Sequence, residues 1–311
     1  MVDVCLLGCG GMVPLPKRRL TALLYRYNGA LILIDCGEGT QVGIKLAGWG
    51  FKSIEAVGFT HYHADHIAGL PGFLLTLGNS GKTTPLTLFG PPGLEAVVRG
   101  LCVIVPVLPF DLHIVELPSP IASEFSIGDI GIKSLPVDHH ITCLSYSLEI
   151  KRAGRFDAVR AQSLGIPRPL WSRLQNGETV ELENQRYEPQ MVLGPPRKGI
   201  KVVYCTDTRP TNEQPAFCSD ADLLICEGIY GEDEKLESAV EKKHMVFSEA
   251  ARLAAAAKAK ELWLTHYSPS LKDPNDFLES TRRLFPNTVA GYDLLSKELH
   301  FDHEVICGVL M

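Results

Sequence analysis

Phe59-Thr60-His61-Tyr62-His63-Ala64-Asp65-His66 gathers three imidazoles and a carboxylate within the six residues 61–66. An apolar run over 54–59 leads into it and predicts a buried strand. Residues 67–77, apolar at helical spacing and followed by Gly78, predict a helix. The four side chains therefore sit on a strand-to-helix loop. In extended backbone, side chains two apart share a face, so the rings at 61 and 63 point together, while Asp65 and His66 fall on the turn and can face a second ion. A solitary histidine is more often a core or surface ring than a ligand; three at this spacing reverse that expectation. Zinc accepts nitrogen, oxygen and thiolate ligands, and catalytic sites keep one position open for water. Four ligands are too few for two ions, so later strands must end in further His and Asp residues.

They do. An all-β stretch over 124–150 contains a strand ending at Pro136-Val137-Asp138-His139-His140, and one of the two histidines is the expected fifth ligand, with spacing alone not choosing between them. The run 200–205 ends at Thr206-Asp207-Thr208-Arg209-Pro210, the run 221–226 at Glu227, and the run 261–265 at His266-Tyr267-Ser268-Pro269. His244 precedes an alanine-rich helix over 245–260 that carries Ser248 and Glu249 early. A ring in that place usually caps a helix or faces solvent, but its company among site-bearing loops makes it a functional candidate. His113, His300 and His303 lack such company and are read as surface or core residues.

Toward the N-terminus, residues 2–8 alternate into Gly8-Cys9-Gly10-Gly11. No helix-forming stretch follows, since residues 12–16 carry two prolines, so a tight turn with close backbone approach fits better than a dinucleotide-binding loop. Lys17-Arg18-Arg19 is a small basic cluster. Runs over 21–27 and 30–35, split by Asn28-Gly29, predict a β-hairpin. The second ends at Asp35, a carboxylate placed to orient a ligand rather than to bind a metal. A strand over 86–90 and a helix over 91–102 continue the alternation, which points to a layered α/β architecture.

With 311 residues, 45% of them hydrophobic, the chain can bury a large core. No run of about 18 apolar residues occurs, and residues 1–7 show neither a basic leader nor a small-residue cleavage site, so a cytoplasmic location is expected. The nine cysteines are odd in number and form no Cys-x-x-Cys pair. They read as reduced core residues, with Cys36 and Cys205 packing beside the site rather than ligating. The net charge of −6 is unevenly spread: residues 151–201 hold ten Lys/Arg against five Asp/Glu, leaving 20 against 31 elsewhere. A local basic excess suits phosphate contact, although a solvated loop with chance basic bias fits too. Residues 152–199 are punctuated by Gly and Pro, look helical only over 157–164, and read as an excursion held by Phe156, Leu170 and Trp171.

Taken together, Asp35-Cys36-Gly37-Glu38-Gly39-Thr40-Gln41, the His-x-His-x-Asp-His loop, Leu70-Pro71-Gly72, Asp207-Thr208-Arg209-Pro210, Glu227, His244 and Thr265-His266 resemble ribonuclease Z. That family is a branch of the metallo-β-lactamase superfamily that cuts precursor tRNA after the discriminator nucleotide, leaving a 3′ hydroxyl. The resemblance spans nearly the whole chain. It implies a four-layer αββα fold in a single domain, residues 1–311, with residues 152–199 as an inserted arm that grips tRNA. It implies two zinc ions, with manganese or iron as alternatives: His61, His63 and His139 on one, Asp65, His66 and His266 on the other, and Asp207 between them. His139 is chosen over His140 because the family places a tyrosine seven residues on, here Tyr146. Asp65, Glu227 and His244 would handle protons, and a homodimer would let one subunit's arm present RNA to the other. The arm tip, Gly165-Ile166-Pro167-Arg168-Pro169-Leu170-Trp171, lacks the family's Gly-Pro step, His244-Met245-Val246 replaces His-Ser-Thr, and Lys17-Arg18-Arg19-Leu20 replaces a more usual Arg-Asn. A phosphodiesterase of small substrates and a non-catalytic RNA-binding relative are the alternatives on the same scaffold.

Overall fold

The computed structural model describes residues 1–182 and 185–302; His303 and Cys307 lie outside the described residues. The strands in chain order are β1 (Val2–Gly8), β2 (Ala22–Tyr27), β3 (Ala30–Ile34), β4 (Ile54–Gly58), β5 (Leu86–Gly90), β6 (Leu112–Glu116), β7 (Ser123–Ile127), β8 (Ile130–Val137), β9 (Cys143–Arg152), β10 (Val180–Leu182), β11 (Gln185–Tyr187), β12 (Arg197–Cys205), β13 (Leu223–Glu227), β14 (Leu262–Thr265), β15 (Thr288–Ala290) and β16 (Leu295–Leu299). One seven-stranded sheet runs β16-β1-β2-β3-β4-β5-β6 and another β15-β14-β13-β12-β9-β8-β7.

Asn28 and Gly29, at φ 49° and 86°, make the tight turn that pairs β2 with β3, Tyr27 opposite Ala30. Both positions need left-handed backbone, which asparagine and glycine tolerate best. From β3 to β6 the pairing is parallel, and the crossovers carry helices Thr40–Ala47, Leu70–Asn79 and Leu94–Leu101. Strands buried on both faces need unbroken apolar runs, and Leu31-Ile32-Leu33-Ile34 is such a run, all four residues buried. Ile44, Phe73, Leu74, Leu77 and Val98 of the helices share a cluster with Leu33, Val57 and Leu88 of the sheet. The other sheet is parallel from β12 to β15 and is flanked by helix Phe247–Ala256, whose Phe247, Ala250, Ala251 and Ala254 are buried.

The inner faces of the sheets meet. Thr21 Oγ1 lies 3.1 Å from the Tyr204 hydroxyl and 2.8 Å from Thr265 Oγ1, and the Tyr146 hydroxyl donates to the Phe59 carbonyl at 2.7 Å. The Phe89 ring sits 5.1 Å from Phe125 and 5.3 Å from Tyr146. This is the four-layer αββα arrangement expected above.

Residues Met1–Glu149 with Lys201–His300 form this unit; Ile150–Ile200, with Phe301 and Asp302, form a second compact unit among the described residues. The second has more structure than the single helical stretch expected. Beside helix Ala158–Ser163, capped by Asp157, it holds helix Trp171–Gln175 and the β10–β11 hairpin. Its own small core is Ala161, Ile166, Leu174, Val180, Tyr187 and Val192, and Phe156, Leu170 and Trp171 pack on it. Elements of three to five residues are too short to show a period, which is why the sequence pattern hid them. The expected helix over 67–77 likewise splits into a single turn, Ala64–Ile67, and Leu70–Asn79. Pro71, lacking an amide hydrogen, suits the first turn of the second piece.

Tyr146→Phe removes a buried bond between the sheets and leaves the Phe59 carbonyl short of a donor. It should cost about 1–3 kcal/mol of stability, read as a shift in the urea midpoint with unchanged slope.

Candidate metal centre

The candidate metal ligands lie just past strand ends. β4 leads into the loop carrying His61, His63, Asp65 and His66; β8, β12 and β14 are followed by His139, Asp207 and His266. Parallel strands bring their carboxyl ends to one edge, where such folds commonly place their sites. Asp35, Asp207 and His266 take φ of 63°, 50° and 59°, a left-handed backbone that L-residues adopt at a cost and that concentrates at functional sites. It turns each side chain sharply out of its strand direction.

Three groups result among the described residues, each with ligand atoms within 4.8 Å of one another: His61, His63, His139 and Asp207; Asp65, His66 and His266; and Asp207, His244 and His266. His61 Nε2 is 2.9 Å from His63 Nδ1, and His139 Nε2 is 3.2 Å from the same atom. On the other side, His66 Nε2 is 3.2 Å from His266 Nε2, and Asp65 Oδ2 is 3.3 Å from His266 Nε2. Asp207 faces both. Its Oδ2 lies 3.5 Å from His61 Nε2 and 3.9 Å from His139 Nε2, while Oδ1 lies 3.3 Å from His66 Nε2 and 3.2 Å from His266 Nε2.

The remaining ring nitrogens are mostly tied down, which fixes tautomer and orientation in metal sites. His66 Nδ1 meets Asp35 at 2.8 Å, and Asp35 in turn accepts from the Thr60 amide at 2.8 Å. His61 Nδ1 meets Thr60 Oγ1 at 3.1 Å, and His139 Nδ1 meets the Lys243 carbonyl at 3.2 Å. His244 Nδ1 lies 3.0 Å from Glu227 Oε2, and Glu227 also accepts from the amides of Thr208 and Met245. The His244 ring stacks 5.3 Å from that of His266.

Burial pushes His61 and His63 down and takes His139 to about 4, so these rings are neutral and keep free lone pairs near pH 7. For His66 burial opposes charge, but Asp207 and Asp35 override it and raise the ring well above its ordinary value. Burial likewise opposes a charged Asp207, yet His266, His66 and His61 around it hold its carboxyl well below the usual range. Burial also works against charge on His244, and the Glu227 carboxylate reverses that, lifting the ring to about 9. The neutral imidazoles of His61, His63 and His139 beside the ionised Asp207 carboxylate are a donor set that suits a divalent cation, and a cation at His66 would take the place of its proton.

His139 is buried in the cluster, whereas His140, His113 and His300 are exposed and outside it. The eight described cysteines carry free thiols and none joins the metal-type groups found among the described residues. Cys205 Sγ accepts from Ser145 and Gln214 instead. Two features escaped the sequence reading. The Arg209 guanidinium bonds both oxygens of Glu249 and the His244 carbonyl, and the Met12 amide donates to Asp65 Oδ2 at 2.6 Å. Both join residues far apart in the chain, and a local pattern carries no sign of them.

Family models match this chain over two stretches: the metallo-beta-lactamase superfamily over residues 18–154 and the beta-lactamase superfamily domain over 178–267. Fold and donor set thus define the class, a metal-dependent hydrolase of the metallo-β-lactamase superfamily. Ribonuclease Z of Clostridium acetobutylicum is 52% identical over 308 residues, covering 97% of this chain and 100% of that protein. Ribonuclease Z of Lachnospira eligens is 52% identical over 304 residues, covering 98% and 100%. The chain belongs to the ribonuclease Z family. Among solved structures, the short form of human tRNase Z superposes with a TM-score of 0.69 at 23% identity, covering 96% of this chain and 100% of that chain. The metallo-beta-lactamase fold protein YhfI from Bacillus subtilis gives 0.68 at 19%, covering 95% and 98%. At these identities the structures speak for the fold.

Asp35→Asn keeps the size of the buried group but weakens its hold on His66. It should lower divalent-metal affinity about 10- to 100-fold, measured by competition with a chromogenic chelator.

Proposed function

We propose that this chain is a binuclear zinc phosphodiesterase, an endoribonuclease that removes the 3′ trailer of precursor tRNA. The observation that carries the reading is Asp207, whose two oxygens face two separate imidazole groups. His61, His63 and His139 would hold one ion, Asp65, His66 and His266 the other, with Asp207 shared. When bound, such a pair supplies a hydroxide near neutral pH and neutralises charge on the phosphate oxygens.

The chain's own residues handle the protons. Asp65, beside both His66 and His266, takes the proton of the attacking water. His244 donates to the leaving 3′ oxygen through the ring nitrogen that Glu227 leaves free, and Glu227 stabilises the imidazolium. Family membership supports precursor tRNA as substrate. Residues 152–199, an insertion in an otherwise single hydrolase domain, serve as the tRNA-gripping arm in this reading, and their excess of basic side chains suits phosphate. A homodimer in which one arm serves the partner's site completes it. Precursor tRNA and a set of free thiols both suit the cytoplasm, and no helix among the described residues is long and apolar enough to cross a membrane.

The direct test incubates purified protein with a CCA-less precursor tRNA and maps the cut; a product ending elsewhere than just after the discriminator refutes the assignment. Mass spectrometry of the metal separates zinc from manganese or iron. His63→Ala and Asp207→Ala should lose metal and all cleavage. His244→Ala should keep its metal and lose turnover, and loss of both together would contradict its role as proton donor. The altered arm tip favours one other reading, a small-substrate phosphodiesterase. Deleting residues 155–195 should cripple tRNA cleavage yet spare hydrolysis of bis(p-nitrophenyl) phosphate; if both survive unchanged, residues 152–199 are not a tRNA clamp.

A further inference from the structure

His266 stands apart from the other buried imidazoles of the centre. Thr60, Asp35, the Lys243 carbonyl and Glu227 occupy the outer nitrogens of His61, His66, His139 and His244. Nδ1 of His266 is buried with no hydrogen-bond partner among the described residues. Its backbone, at φ 59°, lies where a non-glycine residue is uncommon. The ring lacks the outer hydrogen bond usual for a ligand, so packing must contribute to its orientation.

The glycine turn after β1 provides it. A Cβ on Gly11 would lie 2.6 Å from His266 Cε1, 2.8 Å from Nε2 and 2.9 Å from Nδ1, so the ring occupies the space any side chain there would need. The same turn holds both neighbours of that ring. The Gly11 amide donates to the Tyr267 carbonyl and the Tyr267 amide to the Cys9 carbonyl, each at 2.9 Å, while the Met12 amide fixes Asp65 Oδ2. Arg18 clamps the loop beyond: its guanidinium donates to the carbonyls of Leu271 and Lys272 at 2.7 and 3.0 Å and lies 5.5 Å from the Tyr267 ring centroid.

We propose that Gly11 is a positioning residue for the Asp65, His66 and His266 group, its missing side chain seating the His266 ring while the turn around it, pinned by Arg18, sets the ring's backbone. The inference rests on the two-ion reading above and assigns the N-terminal turn to one of the two ion positions. The three atoms nearest a Cβ on Gly11 all belong to His266, and none to His61, His63 or His139.

The test strips the protein of metal, reloads it with zinc or cobalt, and reads ions per chain, stepwise affinities and the cobalt absorption spectrum. Gly100→Ala is the control, a helical glycine with nothing near its missing Cβ. Wild type and Gly100→Ala should take up two ions. Gly11→Ala should keep the tighter ion and bind the other about 10- to 100-fold more weakly, with an unchanged melting temperature of the metal-free protein. Arg18→Lys should show the same selective loss in smaller measure. Two ions of wild-type affinity and spectrum in Gly11→Ala overturn the inference. If that variant does not fold, Arg18→Lys decides alone, and wild-type affinity there overturns it. A wild type that binds a single ion refutes the binuclear reading itself, and the inference with it.

Discussion

The carboxylate of Asp207 lies at the seam of the two sheets, and the arrangement around it answers one constraint: buried charge must be paired. Its two oxygens look toward different imidazole groups, Oδ2 toward His61 at 3.5 Å and Oδ1 toward His66 and His266 at 3.3 and 3.2 Å. That geometry needs Asp207 out of line with β12, which the left-handed turn at its Cα supplies. It also needs β4, β8 and β14 to end at matching depth. The parallel register Glu227 to Thr265 between β13 and β14, and Cys205 to Cys226 between β12 and β13, sets that depth on one side. On the other, the Leu144 amide donates to the Thr60 carbonyl at 2.9 Å and ties the first loop to the opposite sheet.

Around this seam the candidate ligands and the candidate proton donor are not mechanically independent. The Lys243 carbonyl meets His139, the next residue is His244, and Lys243 itself pairs with Asp138, the neighbour of His139. Arg209, two residues beyond Asp207, reaches across to Glu249 and to the His244 carbonyl. Glu249 closes the circuit by accepting from the Val246 amide at 3.1 Å. A displacement of the β12 end therefore moves the segment bearing His244 as well. Salt bridges on an open surface, such as Lys243 with Asp138, contribute little, but Arg209 and Glu249 are partly buried, their side chains only 17% and 12% exposed.

Much of this was legible in the chain because the chemistry is concentrated at strand ends. Apolar runs that stop abruptly at His or Asp fix both the strand and the side chain that leaves it, so the loop 61–66, Asp207, Glu227 and His266 could be named from the residues. His139 and His140 could not be separated by spacing, since adjacent residues on a turn have no fixed direction; burial of one and exposure of the other separates them. β6, β15 and β16 went unread because they are short or half exposed and lack an apolar run. The second unit was underread for a related reason: its helices run six and five residues, less than two turns each. Long-range contacts such as Met12 with Asp65 leave no local trace at all.

The residues of the centre are spread over most of the chain, from His61 to His266, and come from both sheets. No fragment of the chain carries a complete set for either group. Cation capture therefore waits for nearly the whole topology to assemble, and its free energy adds to the cohesion of the finished molecule rather than to any early-forming piece. A chelator acts on such a protein as a mild denaturant, loosening the join between the two sheets as it withdraws the ion.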